Sequence, residues 1–382
     1  MFARYGSVLS LLVVGMRLCI GPVTEDVAMR RWVRVILTLT VVASLIAGGF
    51  GRPPEAAAAT GFPTFCDLRS GDPAYVAVTT LAALEIVRGY ENGCFGPSDT
   101  VLRAQMAALI ARAMVWDREV RGNPFPDRNG VDDGLWQAVG TLAGRGVVRG
   151  YPDGTFDPTG AVLHAQTVSF IARAMVNSNL WLQQPDDPNL YPEVPLDSGH
   201  RVDIATYVAY AGALPDRPVT GAFDWDQPSS RAWFARTLWQ ALNWQVHAGL
   251  DAEESSFLTI LNLYRQRNGV GPLTLSGPLV AAAKWMSADL MVRVKIPADF
   301  SHTDSLRRES VTRLCIFGYC FNTWTGENIA AESATAAATF VQWRDSDGHR
   351  ANMLRAEFAT IGIGRAQGGY YGWYWTTDFG GQ

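Results

Sequence analysis

Neither sign of charge dominates this 382-residue chain: 32 Lys and Arg stand against 36 Asp and Glu, a formal net charge of −4. Nucleic-acid binding rests largely on phosphate neutralisation, so this balance excludes a general drive toward nucleic acid. The apolar run from Val35 to Gly48 is shorter than the ~20 residues a membrane-spanning helix needs. No Gly-x-Ser-x-Gly elbow, His-Glu-x-x-His helix or catalytic Cys–His pattern is present, which removes the commonest hydrolase signatures. Cysteine is scarce, at five. With Cys19 set aside, since it falls in the segment before Met29, four remain in two local pairs, Cys66 with Cys94 and Cys315 with Cys320. Neither pair has Cys-x-x-Cys spacing, so disulfides are expected rather than a metal site.

What is present points to an exported, multidomain chain. The length suggests about two to four domains. A hydrophobic content of 48% with 18% charged residues suffices for real cores. Met29-Arg30-Arg31-Trp32-Val33-Arg34 is a basic n-region, Val35 to Gly48 an apolar h-region, and Ala56 to Ala59 supplies small residues for cleavage. Residues 29–59 are therefore expected to be a signal peptide. Residues 1–28 are expected to lie upstream of the true start at Met29, since a signal peptide begins near its basic residues. The alternative, one long anchor beginning at Val8, is interrupted by Arg17, Glu25, Asp26, Arg30 and Arg31. No membrane span is expected after cleavage.

An internal repeat follows. Gly89-Tyr90-Glu91-Asn92-Gly93-Cys94-Phe95 recurs as Gly150-Tyr151-Pro152-Asp153-Gly154-Thr155-Phe156. Val101-Leu102-Arg103-Ala104-Gln105 recurs as Val162-Leu163-His164-Ala165-Gln166, and Ala111-Arg112-Ala113-Met114 as Ala172-Arg173-Ala174-Met175. One spacing relates all three pairs. Asn92-Gly93 and Asp153-Gly154 are turn signals. The runs Leu81–Val87 and Val139–Val148 predict a helix before each turn. Met106, Leu109, Ile110 and Met114 predict another after it. One such hairpin buries little surface, so several should pack together. A third, degenerate unit starts at Tyr191-Pro192-Glu193, matching Phe65-Cys66-Asp67 and Phe125-Pro126-Asp127, and ends in Ser229-Ser230-Arg231-Ala232.

These units, spanning 64–118, 122–180 and 188–245, resemble S-layer homology (SLH) modules. The resemblance implies attachment to a cell-wall secondary polysaccharide. It places the family's glycan-contacting arginine on Arg103 and Arg231, with His164 at the same position of the middle unit. A planar guanidinium suits the carboxylates of an acidic polymer, whereas His164 does so poorly at neutral pH.

Residues 246–254 are expected to be a polar linker, and the last domain to run over 255–382. Asn262-x-x-Arg265, His302, Gly326-Glu327-Asn328, Trp343-x-x-Ser346-x-Gly348-His349-Arg350-x-Asn352-Met353-Leu354 and Trp375-Thr376-Thr377-Asp378-Phe379-Gly380 occur in that order. In this set Gly348 is expected to free the backbone before His349. The set resembles the CAP superfamily of cysteine-rich secretory and pathogenesis-related proteins. The resemblance implies an α-β-α sandwich, so that the whole is an α+β multidomain chain with a helical SLH bundle preceding the CAP domain. It also implies a cleft that holds a divalent metal in some members. His302 and His349 are the candidate ligands for zinc or magnesium, and Glu327 the carboxylate behind one of them. Glu309 is the first choice for a further cleft acid and Asp304 the second. No organic cofactor is implied.

Two functions follow. The first is a wall-anchored surface protein whose cleft binds a lipid, peptide, glycan or partner protein. The second is a metal-dependent surface hydrolase with Glu327 as general base. The lack of a third clear metal ligand favours the first. A third account, a purely structural envelope protein, requires both histidines to be buried and fully hydrogen-bonded.

Overall fold

The computed structural model describes residues 63–187, 189–216, 223–245, 247–320 and 323–381. The expected signal peptide and the segment before it lie outside the described residues, as does part of the third unit's loop. No helix among the described residues is long and apolar enough to cross a membrane.

Six helices fall two to a unit, α1 (Tyr75–Ala83) and α2 (Arg103–Ala113), α3 (Asp133–Gly144) and α4 (His164–Asn177), α5 (Arg201–Ala211) and α6 (Arg231–Leu242), but instead of closing as hairpins they pack mainly between units, α2 on α3, α4 on α5 and α6 on α1. The first helix of a unit stops earlier than its apolar run. Beyond α1, Glu85 turns left-handed at φ 59°, and beyond α3, Gly146 does so at 71°, so the remaining apolar residues pack from a turn. The helix after the loop starts in the predicted place. Gln105 and Gln166 reach back to accept from the N–H of Leu102 and Leu163, satisfying a donor that a helix start leaves open.

The aromatic-x-acid opening of each unit has a local cause. Asp67 accepts from the N–H groups of Phe95 and Gly96 at 2.7 and 2.8 Å, and Asp127 from Phe156 and Asp157. Glu193 does the same for Phe223. The carboxylate thus ties the unit's start to its own distant loop. Cys66 and Cys94 are disulfide-bonded and clamp the same two segments in the first unit only.

The three units close into a ring. Arg103 N–H donates to Gly160 and Ala104 N–H to Pro158. His164 N–H donates to Gln227 and Ala165 N–H to Trp225. Arg231 N–H donates to Asp99 and Ala232 N–H to Pro97. Bridges Leu102–Ala161, Leu163–Pro228 and Thr100–Ser230 run between the same segments. Each helix start is therefore pinned to the loop of the next unit, and the third unit returns to the first.

The last domain begins earlier than expected. Asp251 and Glu254 form a reciprocal N-terminal cap, so α7 (Ala252–Arg267) takes up the end of the presumed linker. Glu254 is buried and holds Lys284 Nζ and the Arg365 N–H, both at 2.9 Å. Strand β1 (Thr274–Leu275), α8 (Gly277–Arg293), α9 (Ser310–Ile316), β2 (Thr325–Ala331), α10 (Ala336–Arg344), α11 (Asp347–Leu354), β3 (Phe358–Gly368) and β4 (Gly372–Gly381) complete the domain.

The sheet order is β1-β3-β4-β2, parallel for β1–β3 and antiparallel elsewhere. Helix α8 covers one face, and α7, α10 and α11 lie on the other, which makes the expected α-β-α sandwich. Trp343 and Trp375 are fully buried against Phe257. The domain is docked on the bundle by arginines: Arg344 caps the Ala83 carbonyl at the end of α1, and Arg267 the Arg112 carbonyl near the end of α2.

Candidate functional site

The polar motif residues of the last domain divide into a frame and a cleft. Arg265 belongs to the frame: buried at 1% exposure, it donates to the carbonyls of Gly271, Met353, Arg355 and Phe358. It therefore fixes the end of α11 against α7. Asn262 exchanges two hydrogen bonds with the backbone of Leu273. Asn352 donates to Asn328 and to the Glu327 carbonyl, and Asn328 donates to the His349 carbonyl. This network seats the helix bearing His349 beside the strand bearing Glu327. Gly348 has ordinary backbone angles in the first turn of α11, with open space where a side chain would start. It does not free the backbone before His349; the helix itself positions that residue.

The cleft is built on Glu327. Its Oε1 accepts from His302 Nδ1 at 2.8 Å, and its Oε2 from Arg313 Nη2. The bond to Nδ1 leaves His302 Nε2 as the outward nitrogen of a half-exposed ring. His349 packs near Trp343 with its Nδ1 buried and without a partner among the described residues. Burial lowers its pKa, and the charge of His302 lowers it further, so His349 is held toward the neutral form that ligates metals.

The two acids named between His302 and Glu327 sit differently. Glu309 is exposed and accepts from the Thr303 hydroxyl at 2.7 Å. Asp304 is buried; one oxygen caps the Leu306 and Arg308 N–H groups and the other pairs with Arg308 Nε at 2.7 Å. Burial works to raise its pKa, but these bonds outweigh it and the carboxyl titrates below its ordinary range.

The acid beside Glu327 is Asp378. Antiparallel pairing places Asp378 opposite Glu327, and both side chains lie on the face covered by α8. Asp378 is fully buried, and neither oxygen has a donor among the described residues. Burial and then the neighbouring Glu327 charge push its pKa well above the usual carboxylate range, against a smaller opposing effect of Arg313. Asp378 is thus a neutral acid whose proton faces Glu327. Asp378 belongs to the motif run Trp375-Thr376-Thr377-Asp378-Phe379-Gly380, but nothing in that run marks it as a cleft acid, and Arg313 stands alone before Leu314-Cys315-Ile316.

The sign of the linkage is testable. Folded Asp378 keeps its proton where the unfolded chain has lost it, so its contribution to stability falls as pH rises above about 4. In Asp378→Asn the amide keeps the donor without a titrating proton. The variant should match the wild type near pH 4 and be the more stable at pH 8, in urea midpoints measured at both.

Two imidazoles, one backed by a carboxylate, suit a weakly held divalent cation. Among the described residues the one set of three ligand-type side chains clustered tightly enough for an ion is Cys66, Asp67 and Cys94. Its sulfurs are joined in a disulfide, so they offer no thiolates. Cys315 and Cys320 are disulfide-bonded too, as expected. With both oxygens engaged, Glu327 is set to hold His302 rather than to accept a proton from water.

In the helical bundle, Arg103 is buried at 2% exposure over the Tyr151 and Phe156 rings of the next unit, with Nε donating to the Phe156 carbonyl. Arg231 repeats this on Tyr90 and Phe95 of the first unit. At the third junction His164 stacks on Trp233 at 3.8 Å and lies near Phe223. The three positions are equivalent, and each joins a helix start to an aromatic loop.

The comparisons agree with this division. Residues 258–379 match the CAP model, described as the cysteine-rich secretory protein family. Residues 64–107 and 124–168 match the S-layer homology domain. A surface layer protein of Brevibacillus choshinensis is 31% identical over 134 residues, which are 34% of this chain and 11% of that protein. An uncharacterized protein YkwD of Bacillus subtilis (strain 168) is 30% identical over 35% of this chain and 48% of its own length. The chain therefore spans less than half of each of these relatives. A solved extracellular protein containing a SCP domain, from Bacillus anthracis str. Ames, is 27% identical over 34% of this chain and 40% of its own, with a TM-score of 0.29. The chain carries a CAP domain of the cysteine-rich secretory protein family preceded by two S-layer homology segments.

Proposed function

We propose that this is an exported cell-surface protein, held non-covalently on cell-wall polysaccharide by three SLH-type units, which presents a CAP domain with a ligand-binding cleft. The observation that carries the reading is the closed ring, in which an unmatched third unit repeats the junction geometry of the two matched segments. A ring of equivalent junctions gives a wall polymer several contact points, and weak contacts add through effective concentration. Nη2 of Arg103 and Nη1 of Arg231 make no hydrogen bond among the described residues, which leaves each guanidinium a donor for an acidic polymer.

The test is co-sedimentation of the chain from Thr60 onward with sacculi, before and after chemical removal of their secondary polysaccharide. Binding should require the polysaccharide. Arg231→Ala, at the more exposed of the two arginines, should weaken it roughly tenfold, as loss of a charge-assisted bond does. Equal sedimentation with stripped sacculi would sink the reading.

At the cleft, His302 and His349 are the proposed ligands of a divalent cation such as zinc. When bound, the ion supplies a Lewis-acidic centre with open positions for a ligand. Glu327 orients His302, and Arg313 and Asp378 hold Glu327. Calorimetric titration with zinc should give one site in the wild type and none in His302→Ala/His349→Ala at unchanged far-ultraviolet circular dichroism. Unchanged zinc affinity in that variant would reject the assignment.

A further inference from the structure

Helices α2 and α3 flank a cavity of about 310 Å³. That volume is at the small end of ligand sites. Ala108, Ala111 and Ala138 contribute small side chains to its lining, and four charged residues meet there: Arg112, Asp117, Glu119 and Asp132. Two of the four are engaged. Glu119 pairs with Arg145 and Arg121, and Asp132 Oδ1 accepts from the Leu135 N–H at 2.9 Å. Arg112 is half-buried and has no ion pair among the described residues; its Nη1 makes one long bond, 3.5 Å to the Ile86 carbonyl. Asp117 has Arg267 Nη2 at 3.9 Å, too far for a hydrogen bond. The Gln137 carboxamide, also in the lining, makes no hydrogen bond among the described residues.

The repeat shows what Arg112 lacks. Arg173 is its equivalent in the second unit and keeps the same bond, from Nη1 to the Val147 carbonyl at 3.5 Å. Its Nη2, however, pairs with Asp203 on α5 at 2.7 Å. Gln137 lies as far beyond Asp127 as Asp203 lies beyond Glu193. A neutral carboxamide therefore stands at the α2–α3 junction where the α4–α5 junction has the counter-ion. Burial and then the Arg88 charge lower the Arg112 pKa, and Asp117 offsets this only in part, yet the guanidinium stays charged. A part-desolvated charge without a partner is costly unless something meets it.

We propose that this cavity binds a free α-amino acid with a short side chain, its carboxylate on Arg112 and its ammonium on Asp117. The planar guanidinium takes a carboxylate through two parallel hydrogen bonds. Gln137 can donate to the same carboxylate or accept from the ammonium. A simple anion would meet three carboxylates around one guanidinium, and a simple cation would meet Arg112, whereas a zwitterion answers both signs at once. The alanines of the lining set no deep side-chain pocket, which suits a methyl group better than a long chain. The site lies apart from the arginine–aromatic junctions, so it stands or falls independently of the wall-binding reading.

The probe is racemic alanine, followed by saturation-transfer NMR on the chain from Thr60 onward. Alaninamide, which lacks the carboxylate, and N-acetylalanine, which lacks the ammonium, are the analogues. Alanine should bind, and each analogue at least tenfold more weakly, as loss of a charge-assisted bond implies. Gln137→Asp supplies the counter-ion that Arg173 has in Asp203. It should occupy Arg112, weaken alanine at least tenfold and leave Tm unchanged or raised. Arg112→Gln should abolish binding, with circular dichroism as the check on folding. Absence of alanine binding to the wild type overturns the proposal, as does alanine binding that Gln137→Asp leaves unaffected. N-acetylalanine bound as tightly as alanine would make Arg112 a plain anion site and overturn it too.

Discussion

Arg313→Met should be the most damaging substitution in the CAP domain, costing about 3–5 kcal/mol. Arg313 has no exposed side-chain surface and ion-pairs with Glu327, while Asp304 lies 3.8 Å away and Asp378 stands beside Glu327. Three carboxyl groups therefore crowd around one guanidinium. Its removal leaves Glu327 charged and buried with only the protons of His302 and Asp378 to answer it, and an unpaired buried charge costs more than the pair contributes. Tm should fall by about 10 °C. Glu327→Gln added to Arg313→Met should recover part of the loss, because the stranded charge is then gone. A non-additive double-mutant cycle by urea denaturation is the measurement. Additive losses would mean that Arg313 acts through packing alone.

Gly362→Ala should also be severe, at roughly 3 kcal/mol, for a steric reason. An added Cβ at Gly362 would lie 1.9 Å from the Leu279 carbonyl carbon and 2.1 Å from its oxygen, both backbone atoms of α8. Gly364 meets the same helix, at 2.4 Å from Lys284 N. Without side chains at these two positions α8 rests directly on β3, and a methyl group must lift the helix from the sheet. Ser287 Oγ, which bonds the Gly364 carbonyl and Thr376 at 2.8 and 2.9 Å, would be pulled away as well. Gly348→Ala is the control: it sits in a helix with open space around it, so it should gain about 0.5–1 kcal/mol. Thermal melts of the two variants should move in opposite directions. Equal shifts would show that the close approach of α8 is not what requires Gly362.

Much of the architecture is local, and local features are legible in a sequence. Turn residues, the reaching glutamines and the three- and four-residue apolar spacing act within a few positions. They set two helices per unit and the strands on either side of Gly368-Gly369. The aromatic-x-acid openings were visible as a pattern, although their reason, a carboxylate holding a loop about thirty residues on, appears only when the unit is folded. The start of α7 falls inside the polar stretch 246–254, because polarity alone does not separate a connector from a capped helix start such as Asp251 to Glu254.

For the site, the sequence determined which chemistry is available: two histidines, Glu327, and arginines at matching positions of the repeat. Tertiary structure decided what each group faces. Arg231 meets the first unit's loop across 136 positions because the ring closes, which no linear order of units implies. Asp378 stands beside Glu327 because antiparallel pairing sets that register, and a shift of one residue would turn the acid to the other face of the sheet. Burial then makes the same carboxyl neutral, as Asp378, or ion-paired, as Asp304. Residue type sets what a side chain can do. Its partners and its access to water, which fix its charge and its role, come from contacts between segments far apart in the chain.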